Sequence, residues 1–246
     1  MLTCPGKSWA LGGCFMRVAV IDNTEISYLG LLGTALREAD AEIQVFRPWK
    51  GEALPDGTHH DALVVLGGEQ DALADATHPY LPELTRLMRR MGQADKAVMG
   101  ICLGAQLMAR AHGGRNILGG APEFGWHQVR LTQAGRTDPV LSVVGGEFPI
   151  FEWHKDTFAL PDGAVRLAES PVAANQAFRI GRASYATQFH FEASRAVVED
   201  WNRDFPQTVE RIHPGWLADH PRFAADHGPA ADAAGLAIAR AWVSLI

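Results

Sequence analysis

The chain is poor in the residues that build extracellular and metal-dependent folds. It has only three cysteines in 246 residues, Cys4, Cys14 and Cys102, an odd number with no CxxC pair. That argues against both a disulfide framework and a zinc cluster. There is no HExxH among the ten histidines. The one adjacent pair, His59-His60, lies in a Pro/Gly/Asp-rich stretch that reads as a solvated loop, so no metal site is expected. Positive charge is also short, with 22 Lys and Arg against 28 Asp and Glu. A net charge of −6 excludes the basic footprint of a nucleic-acid binder, and no Lys/Arg run points to an anionic membrane surface. No apolar run approaches the length of a membrane span. Gly6, Gly12 and Gly13 break up the amino terminus, which makes a poor secretory signal. A cytoplasmic setting is therefore expected. The chain also lacks a GxxxxGK phosphate loop and a GxGxxG dinucleotide turn, so no cofactor is expected.

What the chain does have is a hydrophobic share of 47%, enough for a full core. Residues 1–15 read as a poorly ordered extension, and 16–246 as one domain. The first half alternates strands and helices. Arg17–Ile21, Ile43–Phe46, Ala62–Leu66 and Ala97–Ile101 read as strands, and Tyr28–Ala39, Pro82–Met91 and Ala105–Ala111 as helices. This order predicts an α/β fold with a mixed, mostly parallel central sheet and helices on both faces. Function in such folds sits at the carboxyl ends of the strands. After Gly114 shorter strands follow at Val129–Leu131, Phe148–Trp153, Val165–Ala168, Ala174–Ile180 and Ser184–Phe189, with a hairpin turn at Gly181-Arg182. Helices are expected at Ser194–Phe205 and Ala230–Leu245, the latter packed on the core or on a second copy in a homodimer.

One stretch organises the rest. The apolar run Ala97–Ile101 leads into Cys102, with Gly100 and Gly104 two residues to either side, and then into helix. Gly-x-Cys-x-Gly between a strand and a helix is a nucleophile elbow with a thiol in place of a hydroxyl. The turn lifts the sulfur out of the sheet and sets it at a helix N-terminus, which favours thiolate. The Leu103 N–H then points where an oxyanion would form. A thiolate nucleophile needs a proton carrier. His190 follows another apolar run and should also lie at a strand end. In extended backbone Glu192 would point the same way and fix the ring.

These residues resemble the class I glutamine amidotransferases, most closely the stand-alone, GMP-synthase-like group. The likeness covers roughly Arg17 to Ser194. It rests on Gly67-Gly68, Gly100-Ile101-Cys102-Leu103-Gly104-Ala105-Gln106, Glu123-Phe124-Gly125-Trp126, Trp153-His154-Lys155-Asp156, Asn175-Gln176-Ala177-Phe178 and Gln188-Phe189-His190-Phe191-Glu192. The resemblance implies a flavodoxin-like fold and a Cys102-His190-Glu192 amidase acting through a γ-glutamyl thioester. It implies an oxyanion hole from the N–H groups of Gly68 and Leu103, and substrate binding by Gln106 and His154. Trp126, Trp153, Phe178 and Gln176 are expected in the core. The sequence departs from the family at Glu69 and Phe191, where prolines are usual. Glu69 is expected either to point to solvent or to read the α-amino group of a γ-glutamyl compound. The expected activity is hydrolysis of glutamine or another γ-glutamyl amide, with ammonia or the γ-glutamyl group passed to an acceptor where there is one. The alternative is a silent or gated γ-glutamyl-binding regulatory component of a synthetase complex. A class of stress proteins also carries an elbow cysteine on a related sheet, but the Gly-Ile-Cys-Leu-Gly-Ala-Gln context and the trailing His-x-Glu favour the amidotransferase resemblance.

Overall fold

A computed structural model describes residues 15–246. Cys4, Cys14 and all of the expected extension except Phe15 lie outside the described residues. In chain order the elements begin with β1 (Arg17–Ile21), α1 (Gly30–Glu38), β2 (Glu42–Phe46), β3 (Ala62–Val65), α2 (Leu81–Gln93), β4 (Ala97–Ile101) and α3 (Leu103–Ala111). There follow β5 (Asn116–Ile117), β6 (Glu123–Leu131), β7 (Glu147–His154), β8 (Thr157–Phe158), β9 (Val165–Glu169), β10 (Ala177–Ile180) and β11 (Ser184–Thr187). The chain closes with α4 (Arg195–Asp204), α5 (Pro206–Ile212) and α6 (Trp216–Val243).

Nine strands form one sheet in the order β2-β1-β3-β4-β11-β10-β9-β6-β7, and β5 and β8 form a separate pair. The run β2-β1-β3-β4-β11 is parallel throughout, the α/β core that the alternating elements predict. From β11 to β7 every pairing is antiparallel. Side chains on β1 alternate between the two faces, as strand geometry demands. Val18 and Val20 pack with Leu32 and Leu36 of α1 and with Ile238 and Trp242 of α6. Ala19 and Ile21 pack with Leu84 and Met88 of α2 and with Leu107 of α3. Both faces of the parallel core are thus covered, as near-continuous apolar strands require.

Several boundaries differ from the sequence reading. Strand β6 starts at Glu123 rather than Val129, because it pairs with β7 along its whole length despite the polar stretch His127-Gln128. Strand β11 stops at Thr187, short of Phe189. His60 is buried against Gln44 at 3.0 Å rather than solvated. The largest change is α6, which starts at Trp216 and runs through Pro221 and Pro229 rather than beginning after them. A proline inside a helix forfeits a backbone hydrogen bond. Here that loss is offset by burial of Trp216, Ile238, Ala239 and Trp242. Gly235 is essential to that packing: a Cβ there would lie 2.2 Å from the Phe191 carbonyl oxygen, so only glycine lets α6 sit against that segment. Among the described residues no helix is long and apolar enough to cross a membrane.

Candidate active site

The parallel order places the carboxyl ends of β3, β4 and β11 side by side, and each leads directly into chemistry. Strand β3 leads through Leu66 into Gly67-Gly68, β4 into Cys102, and β11 through Gln188-Phe189 into His190. The Cys102 N–H donates to the Thr187 carbonyl at 2.8 Å, which ties the elbow to the end of β11. A Cβ added to Gly67 would stand 3.4 Å from His190 Cε1 and 3.6 Å from Cys102 Cβ, so the three residues share one small space.

Cys102 has φ 53° and ψ −105°, a conformation that L side chains resist. The glycine two residues on is needed because a Cβ at Gly104 would lie 2.1 Å from the Val65 carbonyl oxygen. The elbow therefore stores strain on the order of 1–3 kcal/mol. That strain can be measured. Cys102→Gly is expected to be more stable than Cys102→Ala by about 1 kcal/mol, because relief of strain outweighs the ~0.5–1 kcal/mol entropic cost of glycine. Chemical denaturation decides the point, and a less stable glycine variant would show that the turn is relaxed.

Leu103 is the first residue of α3, so its N–H has no intrahelical acceptor. Gly68 packs against it, with a built Cβ only 2.9 Å from Leu103 Cδ2. The Cys102 sulfur lies 3.7 Å from the Trp153 carbonyl, and the residue is 8% exposed.

His190 is held at both ends. Its backbone N–H donates to the Phe151 carbonyl at 2.9 Å, and its ring meets Trp201 edge-on at 5.2 Å. Nδ1–H donates to Glu192 Oε1 at 2.6 Å. Nε2 is buried without a hydrogen-bond partner, with the Cys102 side chain as its reactive neighbour. Burial disfavours the charged ring, but Glu192 and Cys102 outweigh it and hold the His190 pKa well above its ordinary value. Phe191 between the two residues does not disturb this alignment. Phe191 is fully buried, and the Glu192 carbonyl accepts from the Leu31 N–H of α1 at 2.9 Å, which anchors the turn.

A second charged group lies behind the sulfur, and the sequence points to only one of its members. Register across β6 and β7 sets Glu123 opposite His154, and Glu152 lies two residues before His154 on the same face. His154 Nε2 is 3.1 Å from Glu152 and 3.3 Å from Glu123. Ser170 and Gln176 donate to Glu123 at 2.9 and 2.8 Å. Burial opposes protonation of His154, but the two carboxylates and Cys102 raise its pKa to about 10. Burial likewise pushes Glu152 up. Among the described residues these three side chains are the ones whose donor atoms converge as metal ligands would. His154 lines the cleft with its side chain 1% exposed. A charged residue inside the otherwise apolar run Phe148–Trp153 was the available signal for Glu152.

Cys102 and His190 border a cleft of about 700 Å³. Gln106 borders it and is fixed by the Asp156 carbonyl at 3.4 Å and by Gln188 at 3.3 Å. Glu69 lies on the rim, accepting from the Thr24 hydroxyl at 3.1 Å. Phe178 and Gln176 are in the core as expected. Trp126 and Trp153 are only half-buried, and Trp153 lines the cleft. Sequence reasoning missed the far wall, made by Trp201 and Phe205 with Arg211 and Ile212 of α5.

Comparison with known proteins is consistent across sequence and structure. The family model for "Glutamine amidotransferase class-I" matches residues 19–199. The glutamine amidotransferase-like protein YfeJ of Salmonella typhimurium is 34% identical over 157 residues, 62% of this chain and 66% of that protein. One of the subunits of the glutamine-hydrolysing GMP synthase of Natronomonas pharaonis is 28% identical over 72% of this chain and 89% of its own. Gamma-glutamyl peptidase 3 of Arabidopsis thaliana is 27% identical over 72% of this chain and 74% of its own. The crystal structure of a glutamine amidotransferase from Thermotoga maritima superposes with a TM-score of 0.82 at 24% identity, covering 93% of this chain and 96% of that one. It shares the fold.

Proposed function

The chain belongs to the class I glutamine amidotransferase family, and from that premise we propose that it cleaves the side-chain amide of glutamine or a related γ-glutamyl compound through a γ-glutamyl thioester. The observation that carries this reading is the strained elbow at Cys102, with a His190 beside it that is anchored to Glu192 at 2.6 Å. Cys102 attacks the amide carbon. The N–H groups of Gly68 and Leu103 receive the oxyanion. His190 protonates the departing nitrogen and then activates water to open the thioester. Glu192 orients and stabilises the imidazolium. Gln106 holds the amino-acid end of the substrate, and the buried His154 cation, with its two carboxylates, keeps the loop Trp153–Asp156 in place beneath it. A thiol nucleophile suits a reducing compartment, so the proposed setting is the cytoplasm.

A second reading is favoured by the kinship with a GMP synthase component that is a chain of its own. In that reading the protein is gated and acts only beside a synthetase partner. The two readings part in one experiment, ammonia release by the purified chain from glutamine and from γ-glutamyl amides. Turnover of about 1 per second or more supports the self-sufficient enzyme. Labelling of Cys102 by a γ-glutamyl electrophile, with no turnover until a partner is added, establishes the gated form.

A further inference from the structure

His190 hands its proton to the leaving nitrogen, so whatever that nitrogen carries must lie on the His190 side of the sulfur. Ammonia needs only about the ~30 Å³ of a water molecule there. The whole cleft, which must also hold the γ-glutamyl end, is about 700 Å³, within the usual range for an organic ligand of some size. The wall on the His190 side begins as a chain of aromatic rings. The His190 ring meets Trp201 at 5.2 Å, Trp201 meets Trp153 at 5.3 Å, and Trp153 meets Phe205 at 5.7 Å. From Phe205 the chain enters α5, where Thr208, Arg211 and Ile212 share one helix face and border the cleft. All of α5 lies beyond the residues that the family model matches.

The chemistry of this wall is specific. Ile212 is 45% exposed, and Val172, which also borders the cleft, is 51% exposed, so each leaves an apolar side chain uncovered at the mouth. Arg211 makes no ion pair and no side-chain hydrogen bond among the described residues. Its neighbour Glu210 is spent instead on the N–H groups of Gly215 and Leu217, at 2.8 and 2.7 Å. An unpaired guanidinium beside an uncovered apolar surface is the complement of a carboxylate on an apolar body.

We propose that this wall is a leaving-group subsite, and that the substrate is a γ-glutamyl amide whose departing amine is an apolar amino acid, as in a γ-glutamyl dipeptide. The proposal rests on the amidase reading above and names its substrate class. Cys102 sulfur bonds to the γ-carbonyl carbon, and the C–N bond breaks as His190 supplies its proton to the nitrogen. The amino acid leaves with its carboxylate on Arg211. Water then adds at the same carbon, the C–S bond breaks, and glutamate is released. One dipeptide and one water yield two amino acids.

The test compares kcat/KM of the purified chain for γ-glutamyl-leucine, γ-glutamyl-leucinamide and L-glutamine. Expected is a preference of about tenfold or more for γ-glutamyl-leucine over glutamine, and severalfold over the leucinamide, which lacks the carboxylate. In Arg211→Ala the ratio of acid to amide should fall close to one. Arg211 is a surface residue, and an unchanged melting temperature establishes that the variant is folded. Glutamine used as well as the dipeptide, or an acid-to-amide ratio unchanged in Arg211→Ala, overturns the subsite while leaving the amidase intact. Failure on all three substrates, together with no labelling of Cys102 by a γ-glutamyl electrophile, overturns the amidase reading itself.

Discussion

Cys102→Ala is expected to lower kcat by about 10⁴-fold or more while leaving the fold and melting temperature close to those of the parent. The loss follows from the proposed covalent route. Without sulfur no thioester forms, and the proposed donors at Gly68 and Leu103 can stabilise only a direct attack by water, a far weaker nucleophile than thiolate. The fold should survive because alanine keeps the Cβ and so meets the same backbone at φ 53° that cysteine does. A γ-glutamyl electrophile should add one mass equivalent to the parent, mapped by peptide mass spectrometry to Cys102, and none to the variant. Adducts on Cys4 or Cys14 instead, or a variant with most of its turnover, would remove Cys102 from its role. Comparing the alanine and glycine variants separates the two properties of the residue. Both should be inactive, but only glycine should recover the strain.

The elbow is legible in the sequence because its signal is local. An apolar run, a glycine pair and a helical continuation follow one another without a break, and the strand and the turn fall where that pattern puts them, while α3 begins at Leu103, two residues before the expected Ala105. The His190–Glu192 contact is also readable, but it arises through different geometry. The sequence suggests extended backbone with both side chains on one side. Instead β11 ends at Thr187, and the pair sits in a turn where the Glu192 carbonyl accepts from the N–H groups of Leu31 and Ser194. The residues can be read while their backbone cannot, since the anchor on α1 lies near the other end of the chain. Helix α6 shows the opposite failure. Pro221 and Pro229 are strong local breakers, and the helix runs through them because Trp216 is buried in the aromatic cluster against β6 and β7 at one end and Ile238, Ala239 and Trp242 are buried at the other. Glu123 and Glu152 escape a sequence reading for a similar reason. Their partner His154 is brought to them by cross-strand register, which a single sequence does not display. The far wall of the cleft escapes because Arg211 and Ile212 look like ordinary surface residues until α5 is folded over the active end of the sheet.

His190→Asn is expected to cost nearly as much as loss of the thiol, on the order of 10³- to 10⁵-fold in kcat/KM. Asparagine can fill the space between Trp201 and Glu192 but cannot carry a proton, so neither sulfur attack nor departure of the amine is assisted. Glu192→Gln should be milder, by about two orders of magnitude, because a neutral amide still occupies the position that orients the ring. Its fuller signature is in pH. Glu192 and Cys102 together overcome burial to keep His190 protonated well above its ordinary range. Removing the Glu192 charge lowers that pKa, so the ring loses its proton at a lower pH in the variant. The alkaline limb of the kcat/KM profile, where the thiolate–imidazolium pair loses its proton, should therefore move toward acid. The same shift should appear in the pH dependence of Cys102 alkylation, which reads the pair without substrate. Because thiol and imidazole titrate together, the midpoint belongs to the pair rather than to either group. A Glu192→Gln variant with an unmoved alkaline limb would mean that the carboxylate holds the ring in place without contributing its charge. A loss exceeding that of His190→Asn would mean that the roles of the two residues are reversed.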